Sequence, residues 1–138
     1  MCDIMDALLS IRPFYVKEIL QGTKKYEYRK GIPKNKVNRY YIYESSPVQR
    51  IVGCFTCQDV LCDAPMNIWT QTCKHGGISY LDYQKYFRKR NVAYALRIDT
   101  VSLFSTPVNP WKYDGFCPPQ SFTYLKEGAL YEKLCSMV

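Results

Sequence analysis

A single histidine, His75, stands in the 138 residues of this chain. Any Ser-His-Asp set or Cys-His pair would have to be built on it. It is followed by Gly76-Gly77, which reads as a flexible loop rather than the support of a positioned base, and the nearby Cys73 then reads as an incidental thiol. Phosphate-cradling loops are missing too: there is no Walker sequence, and the isolated glycines make no dinucleotide fingerprint. No apolar run approaches the ~18 residues that a membrane helix needs, so no membrane partner is expected. There is no internal repeat and no low-complexity segment. Seven cysteines is an odd number, and no charged n-region followed by an apolar h-region opens the chain. An oxidised secreted framework is therefore not expected; reduced thiols and a cytoplasmic location are.

Carboxylates are scarce relative to cations, twelve against nineteen, which leaves a formal charge of +7. Such a balance favours polyanionic partners and steers them electrostatically. Hydrophobic residues make up 47% of the chain and aromatics 15%, ample for the core of one domain spanning 1–138, expected to be monomeric. Thirteen of the aromatics are tyrosines, whose apolar rings and polar hydroxyls suit the wall of a half-wet groove.

Element by element, ALLSI (7–11) reads as a strand, and apolar Phe14, Val16, Ile19 and Leu20 read as a helix starting near Pro13 and stopped by Gly22. KKYEYRK alternates as a strand ended by Gly31-Ile32-Pro33. Strict alternation would set Lys25, Glu27 and Arg29 on one face and Lys24, Tyr26 and Tyr28 on the other. VNRYYIY (37–43) and the long run VQRIVGCFTCQDVLCD (48–63) are further strands, with Gly53 marking a bulge or a sharp bend. PMNIWTQT (65–72) suggests a helical turn or two, and Ser79 with Asp82 has capping-box spacing for a second helix. NVAYALRIDTVSLF (91–104) is a long strand, and a proline-rich stretch leads to a short terminal helix. The expected class is α+β: a small, mixed, mainly antiparallel curled barrel with flanking helices.

Cys54 and Cys57 form a C-x-x-C with Cys62, Cys73 and His75 downstream. Zinc pairs of this kind sit on tight turns, whereas residues three apart in a strand point to opposite faces; convergence would need a bulge. Neither a metal nor a cofactor is expected. The stronger signal is QGTKKYEYRKGIPKNK (21–36) and its flanks. From Lys17 to Arg39 eight basic residues face only Glu18 and Glu27, interleaved with Tyr26, Tyr28, Tyr40 and Tyr41. These are the parts of a nucleic-acid surface, cations for phosphate and rings for unpaired bases. A second cluster, Lys85, Arg88, Lys89 and Arg90, reads as dipole complementation and solubility at a helix end.

The order of these parts resembles a known family. ALLSIRPFYVKEILQGTKKYEYRK looks like the opening of an ASCH domain, in the PUA-like superfamily: a strand, an S-I-K/R-P turn, a helix, then G-x-K-x-x-E-x-R, here Gly22, Lys24, Glu27 and Arg29. IVGCFTCQDVL, the tryptophan of NIWTQT, GISYLDYQKYF and PPQSFTYL continue the likeness. The resemblance implies a PUA-like barrel whose cleft binds RNA or a modified nucleotide or nucleoside. Ser10, Arg12, Lys24, Glu27, Arg29, Tyr43, Ser121 and Phe122 are the candidate ligand contacts, with Tyr43 and Phe122 as stacking rings. Some stand-alone members cleave N4-acetylcytidine with a lysine at the position of Lys24 and a threonine at the position of Glu27; others are described as ribonucleases. A carboxylate in the threonine's place would act as general base or pair with Lys24 or Arg29. The leading expectation is therefore an RNA- or nucleotide-binding module. The alternative is a hydrolase of an acylated nucleoside or of RNA, with Lys24 and Glu27 catalytic. A regulatory domain that binds a protein partner is a third reading. For Lys24 to share a cleft with Glu27, it must sit on the turn after Gly22 and not within the strand.

Overall fold

The computed structural model describes residues 4–138. Strand β1 (Ile4–Ile11) leads into helix α1 (Pro13–Gln21), with Pro13 in the first turn, where its missing N–H costs nothing. Gly22 ends α1 in the left-handed region at φ 82°. Then come β2 (Tyr26–Arg29), β3 (Lys36–Glu44), β4 (Arg50–Asp63), α2 (Pro65–Thr72), a 3-10 turn at Cys73–His75, and α3 (Tyr80–Tyr86). The Ser79 hydroxyl caps α3 by accepting the Asp82 N–H, as the sequence spacing predicts. The long β5 (Ala93–Val108), a 3-10 turn at Pro110–Lys112, β6 (Phe122–Tyr124) and α4 (Ala129–Ser136) complete the chain.

All six strands join one mixed sheet in the order β2-β5-β4-β3-β1-β6, curled into a half-barrel. Only β1 and β3 run parallel, joined by the crossover through α1 and β2; the other neighbours are antiparallel. Strand β6 is a three-residue edge after Pro118-Pro119, too short for alternation to register, and the sequence reading passes over it. Strand β5 outruns its expected end and continues through Pro107. That proline is tolerated because β2 pairs with β5 only over residues 94–97, so the far half of β5 is a free edge.

Alternation divides the apolar residues between the two faces of the sheet. Ala7, Leu9, Ile11, Tyr40, Ile42 and Phe55 pack with Val16 and Ile19 of α1. Leu8, Tyr41, Tyr43, Ile51 and Phe104 pack with Leu134 of α4. A third cluster sets Ile68 of α2 and Tyr83 of α3, with Phe87 just after it, against Tyr28 and Ala95. Because both faces are covered, Tyr28, Tyr40 and Tyr41 are core residues at 5%, 5% and 0% exposure, which corrects the expectation that they line a base-stacking groove.

Gly53 sits where β4 slips register against both neighbours. A Cβ there would stand 2.4 Å from the Ser102 carbonyl oxygen, a backbone atom with no rotamer to escape into. Gly53→Ala is expected to cost ~1–3 kcal/mol of overpacking strain, read as a lower urea midpoint at unchanged m-value.

Candidate nucleotide cleft

The local chain path decides where Lys24 lies. After Gly22 turns left-handed, the N–H groups of Thr23 and Lys24 both donate to the Glu18 carbonyl at 3.1 Å, so the chain folds back over the end of α1 before β2 begins. Lys24 is therefore on the turn, outside the strand, and strand alternation does not govern it. Glu27 and Arg29, two apart within β2, share a face. Lys24 Nζ comes to 4.0 Å from Glu27 Oε1, and Glu27 Oε2 accepts from Arg29 Nη2 at 2.9 Å. The condition set by the sequence for a shared site is met.

All three charges are buried: Lys24 is 3% exposed and Glu27 and Arg29 are 6% each. Two cations share one carboxylate, so one positive charge has no full counterpart. Lys24 is the residue left over. Its Nζ donates to the Gly76 carbonyl at 2.5 Å and lies 5.2 and 4.7 Å from the ring centroids of Tyr15 and Tyr28. Burial pushes its pKa below the usual lysine value; Glu27 opposes the shift and the Arg29 guanidinium adds to it.

Gly76 and Gly77 form the wall of this lysine chamber, which corrects their reading as a flexible loop. A Cβ on Gly76 would meet the Tyr28 hydroxyl at 2.2 Å, and one on Gly77, already at φ 65°, would meet the Lys24 side chain at 2.9 Å. His75 itself is exposed and contributes its carbonyl, which accepts from Lys25 N–H at 2.8 Å. Cys54 and Cys57 pack into the two different cores on opposite sides of the sheet, even though a register slip falls beside Cys57.

Arg29 reaches from the β2 edge to the other end of the sheet. Nη1 lies 3.3 Å from both the carbonyl and the hydroxyl oxygen of Ser121, and Nη2 donates to the Ser10 carbonyl at 3.1 Å. Its Nε is buried without a partner. The Ser10 hydroxyl in turn donates to the Pro119 carbonyl at 2.6 Å, fastening the segment that carries Ser121 to β1. Ser10, Lys24, Glu27, Arg29 and Ser121 are thus brought together. Phe122 is half-buried against the α1-side core, and Tyr43 packs in the α4-side core with its ring 5.6 Å from that of Phe116.

Beside the lysine chamber opens a cleft of about 530 Å³. Arg12, Phe14, Tyr15 and Glu18 line one side, and Gly77, Ile78, Ser79 and Asp82 the other. Tyr15 and Gly77 belong to both spaces, so they separate the cleft from Lys24. Asp82, after burial, raises the Tyr15 hydroxyl pKa. Of the cleft residues, the sequence reading singles out Arg12 alone as a ligand contact. The missed signal was Phe14: with Val16 and Ile19 buried, a helical period of 100° per residue turns Phe14 outward, and it is 64% exposed.

A curled mixed half-barrel carrying a charged cleft between its first and third helices defines a PUA-like domain. The family model of the ASCH domain matches residues 9–102, and the chain belongs to the ASCH domain family. An ASCH domain-containing ribonuclease of Zymomonas mobilis is 29% identical over 136 residues, covering 91% of this chain and 87% of that protein. A large ribosomal subunit protein uL22 of Ureaplasma parvum is 32% identical over 97 residues; the match takes in 70% of this chain but only 31% of that protein's length. The crystal structure of ASCH from Zymomonas mobilis superposes with a TM-score of 0.86 at 26% identity, covering 96% of this chain and 95% of that one. A serine-to-alanine variant of the Zymomonas protein gives 0.87 at 26% identity, covering 99% and 98%. Among the described residues no helix is long and apolar enough to cross a membrane.

The lowered pKa of Lys24 has a thermodynamic signature. The unfolded chain holds the Lys24 proton up to pH ~10.4 and the folded chain releases it earlier, so this group adds stability as pH rises through that window. Lys24→Met removes the titration. The unfolding free energy of the wild type relative to Lys24→Met is expected to increase between pH 7 and pH ~10, measured by urea unfolding at a series of pH values; a constant difference would place the amine at its ordinary value.

Proposed function

We propose that this chain is an RNA-binding domain that seats an unpaired nucleotide in the cleft between α1 and α3. The observation that carries the reading is the cleft itself: an outward aromatic ring, Phe14, and an exposed guanidinium, Arg12, flank a space of about 530 Å³ in a chain of net charge +7. The ring offers a stacking platform for a base of any identity, and the guanidinium offers a partner for phosphate. Behind the wall, Arg29 is committed to carbonyls and Lys24 to Gly76, so in this reading they shape the site's charge more than they grip the ligand. Glu27 holds the Arg29 fork in place. The candidate contacts Ser10 and Ser121 serve that same fork, and Tyr43, buried in the core, and Phe122, half-buried against it, are not proposed as stacking rings.

A second reading, that the chain also cleaves the RNA it binds, is favoured by two observations. The Zymomonas mobilis relative, which matches most of this chain, is named a ribonuclease, and the amine of Lys24 is pushed toward its neutral, proton-accepting form. In that step, which requires the Tyr15–Gly77 wall to part, the Lys24 amine takes the proton of a 2′-hydroxyl and the 2′-oxygen bonds to phosphorus. The P–O5′ bond breaks, and the departing oxygen takes a proton from water. A 2′,3′-cyclic phosphate and a 5′-hydroxyl remain.

Fluorescence anisotropy with a short single-stranded RNA over a salt series tests both. Wild type is expected to bind with a steep salt dependence. Phe14→Ala should weaken binding by ~1–3 kcal/mol, and Arg12→Ala should flatten the log–log salt slope by about 0.7. Binding that neither substitution alters would remove the ligand from this cleft. RNA length measured afterwards decides the second reading: shortening by the wild type, absent with Lys24→Met, supports cleavage, and intact RNA leaves a binding domain.

A further inference from the structure

The cluster Lys85, Arg88, Lys89 and Arg90 reads in the sequence as the compensation of a helix dipole and as a solubilising group. The structure assigns it differently. Helix α3 stops at Tyr86 with Phe87 as its C-cap, and only Lys85 lies in its last turn. Arg88, Lys89 and Arg90 follow in a turn of their own, closed by Arg88 N–H to the Lys85 carbonyl at 3.4 Å and Arg90 N–H to the Phe87 carbonyl at 3.0 Å, with Lys89 in the left-handed region at φ 62°. Dipole attraction fades within the last turn, so it does not account for three consecutive cations beyond it. All four side chains are exposed. Among the described residues the ion pairs are Lys24–Glu27, Arg29–Glu27 and Arg97–Asp59, so no carboxylate neutralises this cluster. Among the described residues no ion pair offsets its mutual repulsion.

The cluster is also next to the site. Lys30, directly after Arg29, places its Nζ 4.7 Å from the centroid of the Tyr86 ring, which brings the basic run of β2 and the basic turn together at one tyrosine. Burial raises the Tyr86 hydroxyl pKa, and Arg29, Glu27 and Arg90 all stand close enough to act on it. At its other end α3 begins inside the cleft wall, with Ser79 and Asp82. Asp82 and Tyr86 are four apart and so lie on one face of the helix. The route from the cleft to the basic turn is therefore the length of this seven-residue helix, about 10 Å at 1.5 Å per residue.

Resting on the RNA reading of the cleft, we propose that Lys30, Arg88, Lys89 and Arg90 form a phosphate rail along which single-stranded RNA leaves the cleft, so that the ligand is a strand and not a free nucleotide. An RNA strand supplies the missing anions at regular spacing, and the Phe14 platform at the start of the route favours RNA over an anionic lipid surface.

The test compares three proteins: wild type, Arg88→Ala/Lys89→Ala/Arg90→Ala, and a charge-matched control, Lys112→Ala/Lys126→Ala/Lys133→Ala, whose exposed lysines lie beside α4. Each is titrated with a fluorescein-labelled single-stranded RNA of about a dozen nucleotides over a salt series, and with the four nucleoside monophosphates by calorimetry. The rail predicts a log–log salt slope for RNA shallower by about 2 in the first variant, a smaller change in the control, and monophosphate binding equal to wild type. An RNA slope unchanged in the rail variant, or lost equally in the control, overturns the rail while leaving the cleft reading intact. Wild type that binds neither RNA nor monophosphates overturns both. Sedimentation with phosphatidylserine-containing vesicles that depends on these cations, when RNA binding does not, overturns the rail in favour of a membrane surface.

Discussion

The arrangement depends on one buried guanidinium. Arg29 stands on β2, at one end of an open six-stranded sheet, and its donors are taken by Ser10 on β1 and by Ser121 just before β6, at the other end. No backbone ladder joins those two ends, so a side chain does what strand pairing does in a closed barrel. Hydrogen bonds to a charged group contribute about 1.5–3 kcal/mol each when well formed. A buried guanidinium without a counter-charge would cost more than they return, and Glu27 supplies that charge at 2.9 Å.

From that requirement the chemistry of the lysine follows. Glu27 spends one oxygen on Arg29 and lies at 4.0 Å from Lys24 with the other, too far for a full hydrogen bond. Lys24 is then held by a carbonyl and two aromatic rings, which suit its ammonium form, while burial lowers its pKa. A residue pair needed to close a sheet thus creates, as its by-product, an amine with altered proton affinity beside a cleft. The two glycines opposite are the spatial counterpart of the same fact: the space their side chains would fill is already occupied by Lys24 and Tyr28.

The elements with strong local signals were legible in the chain. Pro13 and Gly22 bracket α1, Ser79 and Asp82 start α3, and Gly53 marks the slip in β4, all from nearest-neighbour chemistry. The charged cluster came from the resemblance to the ASCH signature, since alternation alone sets Lys24 opposite Glu27 and the turn after Gly22 is what brings them together. What could not be read depends on contacts distant in sequence. Tyr40 and Tyr41 look like groove residues until helices from opposite ends of the chain, α1 and α4, cover both faces of the sheet. Gly76 and Gly77 look flexible until Lys24, more than fifty residues away, is packed against them. The two basic segments look unrelated until Lys30 meets Tyr86.

The open seam between β2 and the β1/β6 end has a dynamic meaning. Parting two paired strands breaks a cooperative row of backbone bonds, whereas this seam has no such row and is held by the Arg29 hydrogen bonds and the apolar packing under α1. Low-energy openings in a folded protein occur where few such bonds must break. Glu27 joins that seam to the lysine chamber, 2.9 Å from Arg29 and 4.0 Å from Lys24, so a fluctuation that frees Arg29 also changes the charge beside the buried amine.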